Sequence, residues 1–222
     1  MSSASNHHPL DSGEGIPVNQ TVLNEQGFAI IHGVLGEQEV AQLARDLARS
    51  SMRRSKAGVR HALKHREIAE LAQDSRLRDI ARCFVGSGAF PFRATLFDKS
   101  PHSNWLVVWH QDTALPLREK REMLGWGPWS VKDGVIYAHA QATALGQVLA
   151  LRIHLDDSTV DNGPLRLLPG THKMGVLSDD EIRALAAKVP SVDCLVPKGG
   201  VLAMRPLTVH ASSKAMRGLS RV

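Results

Sequence analysis

Two histidines and one aspartate stand where strand-like segments of the sequence end, and their side chains could bind a metal ion. His110 and Asp112 follow the run WLVVW, and His210 follows LTV. Residues i and i+2 on a strand point to the same face, so His110 and Asp112 can reach one ion. An imidazole nitrogen together with a carboxylate oxygen suits a borderline divalent metal.

The His-x-Asp pattern is weak evidence alone, because the sequence also contains His154-Leu-Asp156. A similar pair, His65-Arg-Glu67, opens a predicted helix, where side chains two residues apart diverge. Four or five predicted strands separate His110 from His210, enough to bring the chain round a jelly roll to a neighbouring position. The spacing therefore favours a triad of His110, Asp112 and His210.

Two kinds of metal enzyme use two histidines and one carboxylate. Non-haem iron(II) oxygenases leave adjacent coordination positions open, whereas a zinc hydrolase uses the same ligands with one water. An oxygenase that consumes 2-oxoglutarate must also hold the far carboxylate of that molecule, for which a bidentate arginine is best suited. Arg221 lies eleven residues beyond His210 and fits this need.

Several motifs together resemble the phytanoyl-CoA dioxygenase family. They are WHQDT, LDDSTVDNGPLRLLPGTH and RPLTVHASS, followed by Arg221, and they extend from about Phe92 to Arg221. The resemblance implies a double-stranded β-helix (jelly-roll) core with flanking helices. It also implies iron(II), 2-oxoglutarate and O2, with hydroxylation of an unactivated C–H bond and release of succinate and CO2.

The resemblance also implies roles for individual residues. The iron ligands are His110, Asp112 and His210, and the co-substrate contacts are Arg221, Ser212, Thr95 and Arg152. Related proteins often carry an aromatic residue at the position of Arg152. Since a small residue replaces the carboxylate in related halogenases, Asp112 favours hydroxylation. The substrate is expected to be a small organic molecule, with an acyl or carboxylate-bearing metabolite as one candidate.

Periodicity predicts a mainly β protein with helices on its N-terminal side. Residues 1–20 are expected to be a disordered leader and 21–222 a single domain, whose helical part covers about 36–86 and whose jelly roll covers about 90–222. Helices are predicted from Gly36 or Glu37 to Arg49 and from His65 to Val85. A short strand is predicted in NEQGFAIIHGVL. Further strands are predicted in FRATLFDK, WLVVWH, VIYAHA, QVLALRIHL, PLRLL, VLAMR and LTVH. Arg221 is the second residue from the end of the sequence, where fraying is expected.

The segment from about 115 to 145 is longer than most connections and is expected to be a lid over the site. Its tryptophans, Trp126 and Trp129, are candidate substrate walls, and packing of the insertion itself is the alternative. In the predicted strand QVLALRIHL, Arg152 and His154 share a polar face that is either the cavity or solvent. His172, in a turn, is expected to be a structural residue.

Composition narrows the class of protein. The 222 residues are 43% hydrophobic with a net charge of +5, and no run of apolar residues is long enough to span a membrane. Two cysteines and no signal-peptide pattern favour the cytoplasm. The basic stretch from Arg45 to Arg82 is expected to be a solvated helical face, and nucleic-acid binding through it stays open as the less favoured alternative. The oligomeric state is undetermined. A zinc hydrolase and a non-catalytic jelly-roll binding protein stay open as alternatives.

Overall fold

The computed structural model of the protein describes residues 19–52, 58–97 and 106–215. The α-helices are α1 (Gln20–Gln26), α2 (Glu37–Arg49), α3 (Arg66–Ala72), α4 (Ser75–Val85), α5 (Ala142–Leu145) and α6 (Asp179–Lys188). The strands are β1 (Phe28–Ile31), β2 (Val107–His110), β3 (Ala114–Leu117), β4 (Trp129–Lys132), β5 (Val135–His139), β6 (Ala150–Ile153), β7 (Leu165–Leu167), β8 (Val192–Cys194), β9 (Val201–Met204) and β10 (His210–Ser212). Short 3₁₀ turns occupy Ala62–Lys64 and Thr171–Met174.

Two antiparallel sheets form the core of the protein. One has the strand order β1-β9-β6 and the other β2-β10-β7-β8. Apolar side chains from both sheets pack in the space between them, and these are chiefly Phe28, Leu165, Leu167, Cys194, Val196, Leu202 and Met204. Because neighbouring strands are mostly distant in sequence, the chain winds back and forth between the sheets, as it does in a jelly roll. The predicted fold class is confirmed.

Helices α1 and α4 cover the outer face of the first sheet. Leu77 and Ile80 of α4 pack with Val201 and Ala203 of β9 and with Leu23 of α1. Burying this apolar face stabilises the sheet by removing its alternate side chains from water.

The sequence predicted one helical stretch from His65 to Val85, and the structure shows two helices. The chain turns between α3 and α4, where the Asp74 side chain accepts a hydrogen bond from the Arg76 backbone and caps α4. Such a cap satisfies one of the orphan N–H groups at a helix start, so the break has a local cause. The predicted boundaries of α2 agree with the structure.

Three further local predictions were wrong. Residues 20–26, which the sequence assigned in part to the leader and to a strand, form α1, capped by Asn19 and ended by Gly27 at a φ of 87°. FRATLFDK contributes only an isolated bridge between Leu96 and Val59 among its described residues. LTVH is not a strand that His210 ends, because Thr208 closes a turn onto Arg205 and His210 opens β10.

The 115–145 segment forms a separate unit with its own sheet. Its strand order is β3-β5-β4, and α5 follows. Ala140, Leu145 and Leu207 form a buried cluster that joins this unit, called the insertion here, to the turn before β10. The insertion therefore has a defined position beside the residues that precede His210.

Charged side chains on the helices are largely paired with one another. Arg76 forms hydrogen bonds with both Glu39 and Asp74, and Arg82 pairs with Asp79. The basic stretch is thus partly neutralised within its own surface. None of the helices in the described ranges is both long and apolar enough to span a bilayer.

Candidate metal centre

Strand pairing brings the three predicted ligands together. β2 and β10 are neighbours, and His110 lies directly opposite His210 in their register. Ligand atoms of His110, Asp112 and His210 all lie within 4.8 Å of one another. The two imidazole rings are 4.2 Å apart between centroids, and Nε2 of His210 lies 3.8 Å from Oδ2 of Asp112.

Both histidines are oriented by hydrogen bonds from the chain just before them. Nδ1 of His110 lies 2.8 Å from the Val108 carbonyl, and Nδ1 of His210 lies 2.9 Å from the Thr208 carbonyl. A carbonyl only accepts, so each Nδ1 carries the proton and each Nε2 keeps its lone pair. Two free Nε2 atoms and a carboxylate fit a divalent metal ion, since such second contacts fix the ligand tautomer.

The electrostatics of His210 also suit metal binding. Its side chain is 5% exposed, and this burial lowers the pKa of His210, while the Asp112 carboxylate acts in the opposite direction. Burial disfavours the charged imidazolium. The imidazole is therefore neutral at physiological pH, which is the form that binds a metal.

The residue between the first two ligands has a role that the sequence analysis missed. The Gln111 amide nitrogen donates to the carbonyls of Leu207 and Gly175, at 2.8 and 2.9 Å, and its amide oxygen accepts from the Leu177 backbone. The Asp112 backbone N–H also donates to Pro206, at 2.9 Å. Gln111 alternates with the ligands and so points away from the metal into the protein. This role could have been predicted from the sequence, because a polar residue between two metal ligands faces the protein interior and needs hydrogen-bond partners there.

The competing pair does not take part in the triad. His154 follows β6, in the other core sheet from β10, and is 2% exposed. Within the described ranges, His110, Asp112 and His210 form the one cluster of three potential ligands. His172 contacts the Asn24 carbonyl through Nε2, in keeping with a structural role.

Comparison with known proteins agrees with this geometry. The family model for phytanoyl-CoA dioxygenase (PhyH) matches residues 23–218. The chain belongs to the phytanoyl-CoA dioxygenase family. The family resemblance predicted from the sequence motifs is confirmed.

The characterised relatives that the chain matches are distant in sequence. An ectoine dioxygenase of Sphingopyxis alaskensis is 28% identical over 106 residues, which are 48% of this chain and 28% of that protein. An L-proline trans-4-hydroxylase of Streptomyces griseoviridis is 24% identical over 171 residues, covering 65% of this chain and 56% of that protein. The chain thus matches only about a quarter to a half of the length of these two relatives.

Solved structures show the same fold. EctD from S. alaskensis, solved with 2-oxoglutarate and 5-hydroxyectoine, superposes with a TM-score of 0.67 at 18% identity, over 99% of this chain and 76% of that one. EctD has also been solved with bound Fe. The predicted cofactors, iron(II) and 2-oxoglutarate, are confirmed at the level of the phytanoyl-CoA dioxygenase family.

Arg152 lies inside the jelly roll of this family member. It shares the interior face of β6 with Ala150, which packs in the core between the sheets. Burial lowers the pKa of Arg152, and the negative charge of the Asp112 carboxylate opposes that effect. Its guanidinium carbon lies 5.3 Å from the centre of the Phe97 ring. The sequence left open whether Arg152 faces the cavity or solvent, and the structure places it on the cavity side.

Of the other residues predicted to contact the co-substrate, the structure describes two. Ser212 is 3% exposed and lies two residues after His210 on β10. Thr95 is partly buried, and its neighbour Leu96 pairs with Val59. Arg221 lies outside the described residues.

Neither tryptophan of the insertion is seen against the metal ligands. Trp126 packs on the cluster of Ala140, Leu145 and Leu207. Trp129 opens β4 opposite Ala138 and is partly buried. Packing within the insertion accounts for Trp126, and its indole also touches the turn that leads to His210.

Proposed function

We propose that this protein is an iron(II)- and 2-oxoglutarate-dependent dioxygenase that hydroxylates an unactivated C–H bond of a small organic substrate, releasing succinate and CO2. The observation that carries the proposal is the triad of His110, Asp112 and His210, with both Nε2 atoms left free for one ion. Membership of the phytanoyl-CoA dioxygenase family supports the same reaction type.

Each ligand has a distinct task. His110 and His210 would donate neutral imidazole nitrogens, and Asp112 would supply the negative charge. Three ligands on one face leave adjacent positions for a co-substrate and O2. When bound, iron supplies the oxidising chemistry, and the protein supplies binding, orientation and exclusion of water. A carboxylate as the third ligand supports hydroxylation over halogenation.

The co-substrate would lie between the two core sheets. We assign Arg221 to the far carboxylate of 2-oxoglutarate, with Ser212 and Thr95 as hydroxyl contacts and Arg152 as a further contact of the co-substrate. For Arg152 the support is a partly buried arginine on the interior face, within electrostatic reach of Asp112. A buried cation is costly unless an anion accompanies it. A dicarboxylate in the cavity would meet that requirement.

The insertion would act as a lid. Its first strand begins two residues after Asp112, so its position is coupled to the metal ligands. Trp126 and Trp129 would form apolar walls that keep water from the reacting centre. Ectoine and L-proline, the compounds in the relatives' names, are the first substrates to test.

The decisive experiment is anaerobic titration of the metal-free protein with iron(II) and then 2-oxoglutarate. A ferrous 2-oxoglutarate chelate gives a visible charge-transfer band, which we expect in the wild type. The band should disappear in His210→Ala and persist in His32→Ala, a matched change at an exposed histidine. Arg152→Gln should raise the 2-oxoglutarate concentration needed for half of the band by at least about tenfold.

Two results would contradict the proposal. Tight zinc binding with no band would identify a hydrolase that uses the same triad. A normal band with no succinate formation, with any small-molecule substrate, would identify a binding protein that retains the metal.

A further inference from the structure

Polar side chains from two parts of the chain converge on the residues that follow the metal ligand Asp112. Nη1 of Arg93 donates to the Ala114 carbonyl, at 3.3 Å. Oγ1 of Thr113 lies 2.7 Å from Nδ1 of His139. These contacts place a guanidinium and an imidazole beside the start of the insertion, immediately after the metal triad.

His139 is held firmly on the insertion. It lies opposite Ala114 in the β3–β5 register, and the next residue, Ala140, donates its backbone N–H to the Thr113 carbonyl at 2.9 Å. The imidazole is exposed, and its Nε2 has no hydrogen-bond partner among the described residues. Since Nδ1 is engaged by Thr113, the imidazole presents Nε2 to an incoming molecule.

Arg93 is an exposed residue of a segment that packs against the helices. Its neighbours Ala94 and Leu96 pack against the helical cluster, so Arg93, Thr95 and Phe97 alternate onto the opposite face. Phe97 on that face contacts the guanidinium of Arg152. This row therefore contacts the insertion through Arg93 and Arg152 through Phe97.

The two arginines make different contacts. Arg93 reaches the Ala114 carbonyl of the insertion, whereas Arg152 lies on β6 against Phe97. The assignment of Arg152 to the co-substrate leaves Arg93 without a role.

The charge around Arg93 favours a second anion. Within the described part of the chain, no carboxylate lies within ion-pair distance of its guanidinium. A cleft of about 260 Å³ adjoins it, with Lys64 as a further cation and with walls that include Leu63, Phe92 and Pro116. None of the residues lining this cleft is acidic.

We infer that the primary substrate carries a carboxylate, which Arg93 and His139 bind beside the metal centre. This inference rests on the proposed function and adds a substrate class and two specificity-determining residues. Arg93 supplies the charge and up to two parallel N–H donors, as guanidinium groups commonly do for carboxylates. His139 supplies a donor from Nε2 when Thr113 donates its hydroxyl proton to Nδ1.

The test compares carboxylates with their uncharged amides. L-proline and L-prolinamide, and hexanoate and hexanamide, are titrated calorimetrically into protein loaded with iron(II) and 2-oxoglutarate under nitrogen. At least one carboxylate should bind the wild type more tightly than its amide, and Arg93→Gln should weaken that binding about tenfold, because the interaction is charged but partly solvated. Arg60→Gln is the matched control, since Arg60 is a half-exposed arginine that reaches Asp133 of the insertion.

A second pair of variants separates binding from a structural role of His139. His139→Asn keeps an amide near the position of Nδ1, and so keeps the contact with Thr113, but it removes Nε2. A substrate-binding His139 predicts weaker carboxylate binding in His139→Asn at unchanged melting temperature. If His139 only supported the insertion, the asparagine would restore wild-type binding.

Either of two results would overturn the inference. In the first, no carboxylate binds the wild type more tightly than its amide does. In the second, Arg93→Gln binds the carboxylate as tightly as the wild type does. Failure of the proposed function is distinguishable, since it removes the 2-oxoglutarate band from the wild type itself. Arg93→Gln should leave that band unchanged.

Discussion

Gln111→Leu tests whether the buried side chain between His110 and Asp112 holds the predicted metal ligands in place. The side chain is 8% exposed and makes three hydrogen bonds, to the carbonyls of Leu207 and Gly175 and from the Leu177 backbone. Leucine has a similar volume but makes none of these bonds. The variant therefore removes polar contacts with little change in packing.

The expected cost follows from the number and burial of those bonds. A hydrogen bond contributes about 1 kcal/mol net, and a buried group left unpaired costs about 1–3 kcal/mol. The contact with Leu207 is buried, whereas water can partly replace the contacts of Gly175 and Leu177. The free energy of unfolding should therefore fall by about 3 kcal/mol, a large part of the ~5–15 kcal/mol that is typical of a domain.

Urea unfolding of the metal-free protein, followed by tryptophan fluorescence, measures this change. With a slope of about 2 kcal/mol per molar urea, the midpoint should fall by about 1.5 M at an unchanged slope. Gln141→Leu is the control, because its exposed side chain makes a single hydrogen bond, to the Leu124 carbonyl. It should change stability by less than about 0.5 kcal/mol.

Iron affinity supplies a second measurement on the same variant. Loss of the contacts that orient the ligand segment should weaken iron(II) binding about tenfold, as changes behind metal ligands generally do. A Gln111→Leu protein within 1 kcal/mol of the wild type, with normal iron affinity, would refute the reasoning.

Three further predictions concern other parts of the molecule. Asp112→Ala should lose iron(II) binding in a metal titration while keeping the wild-type circular dichroism, because it removes the sole anionic ligand of the triad; retained stoichiometric iron would contradict this. Hydrogen bonds from Arg76 hold the pKa of Glu39 at about 2, so the stability that the Glu39 carboxylate contributes is present above about pH 4.5 and is lost as the pH falls towards 2. In thermal melts, the melting temperature of Glu39→Gln should therefore fall less steeply than that of the wild type between these pH values. An equal slope would count against the ion pair. Burial lowers the pKa of His172, so the stability contributed by its neutral imidazole is complete above about pH 6.5 and is lost below it. His172→Gln keeps a donor for the Asn24 carbonyl and should lessen the loss of stability between pH 7 and 5.5. An unchanged slope would show that another group causes the loss.

Patterns local in sequence were sufficient to predict several features. Alternation and turn residues predicted β-strands for VLAMR and QVLALRIHL, which became β9 and β6. Helical periodicity predicted α2 with its boundaries. The metal ligands His110 and Asp112 could be recognised because a strand places residues two apart on one face.

Other features depended on contacts that a local pattern does not encode. The break between α3 and α4 depends on the Asp74 side chain, which competes with continuation of the helix. The start of β10 at His210 depends on pairing with β7 and β2, which lie far away in the sequence. Local residue preferences were therefore insufficient to place either boundary.

The sequence by itself determined the candidate metal ligands, because a strand places His110 and Asp112 on one face and the spacing favours His210 as the third. Only the tertiary structure decided how the surrounding side chains are used. It turned Arg152 into the cavity, Gln111 away from the metal, and Arg93 and His139 towards the same short segment. The physical reason is that a ligand pair on one strand follows from backbone geometry, whereas a meeting of side chains from separate strands follows from sheet register and packing.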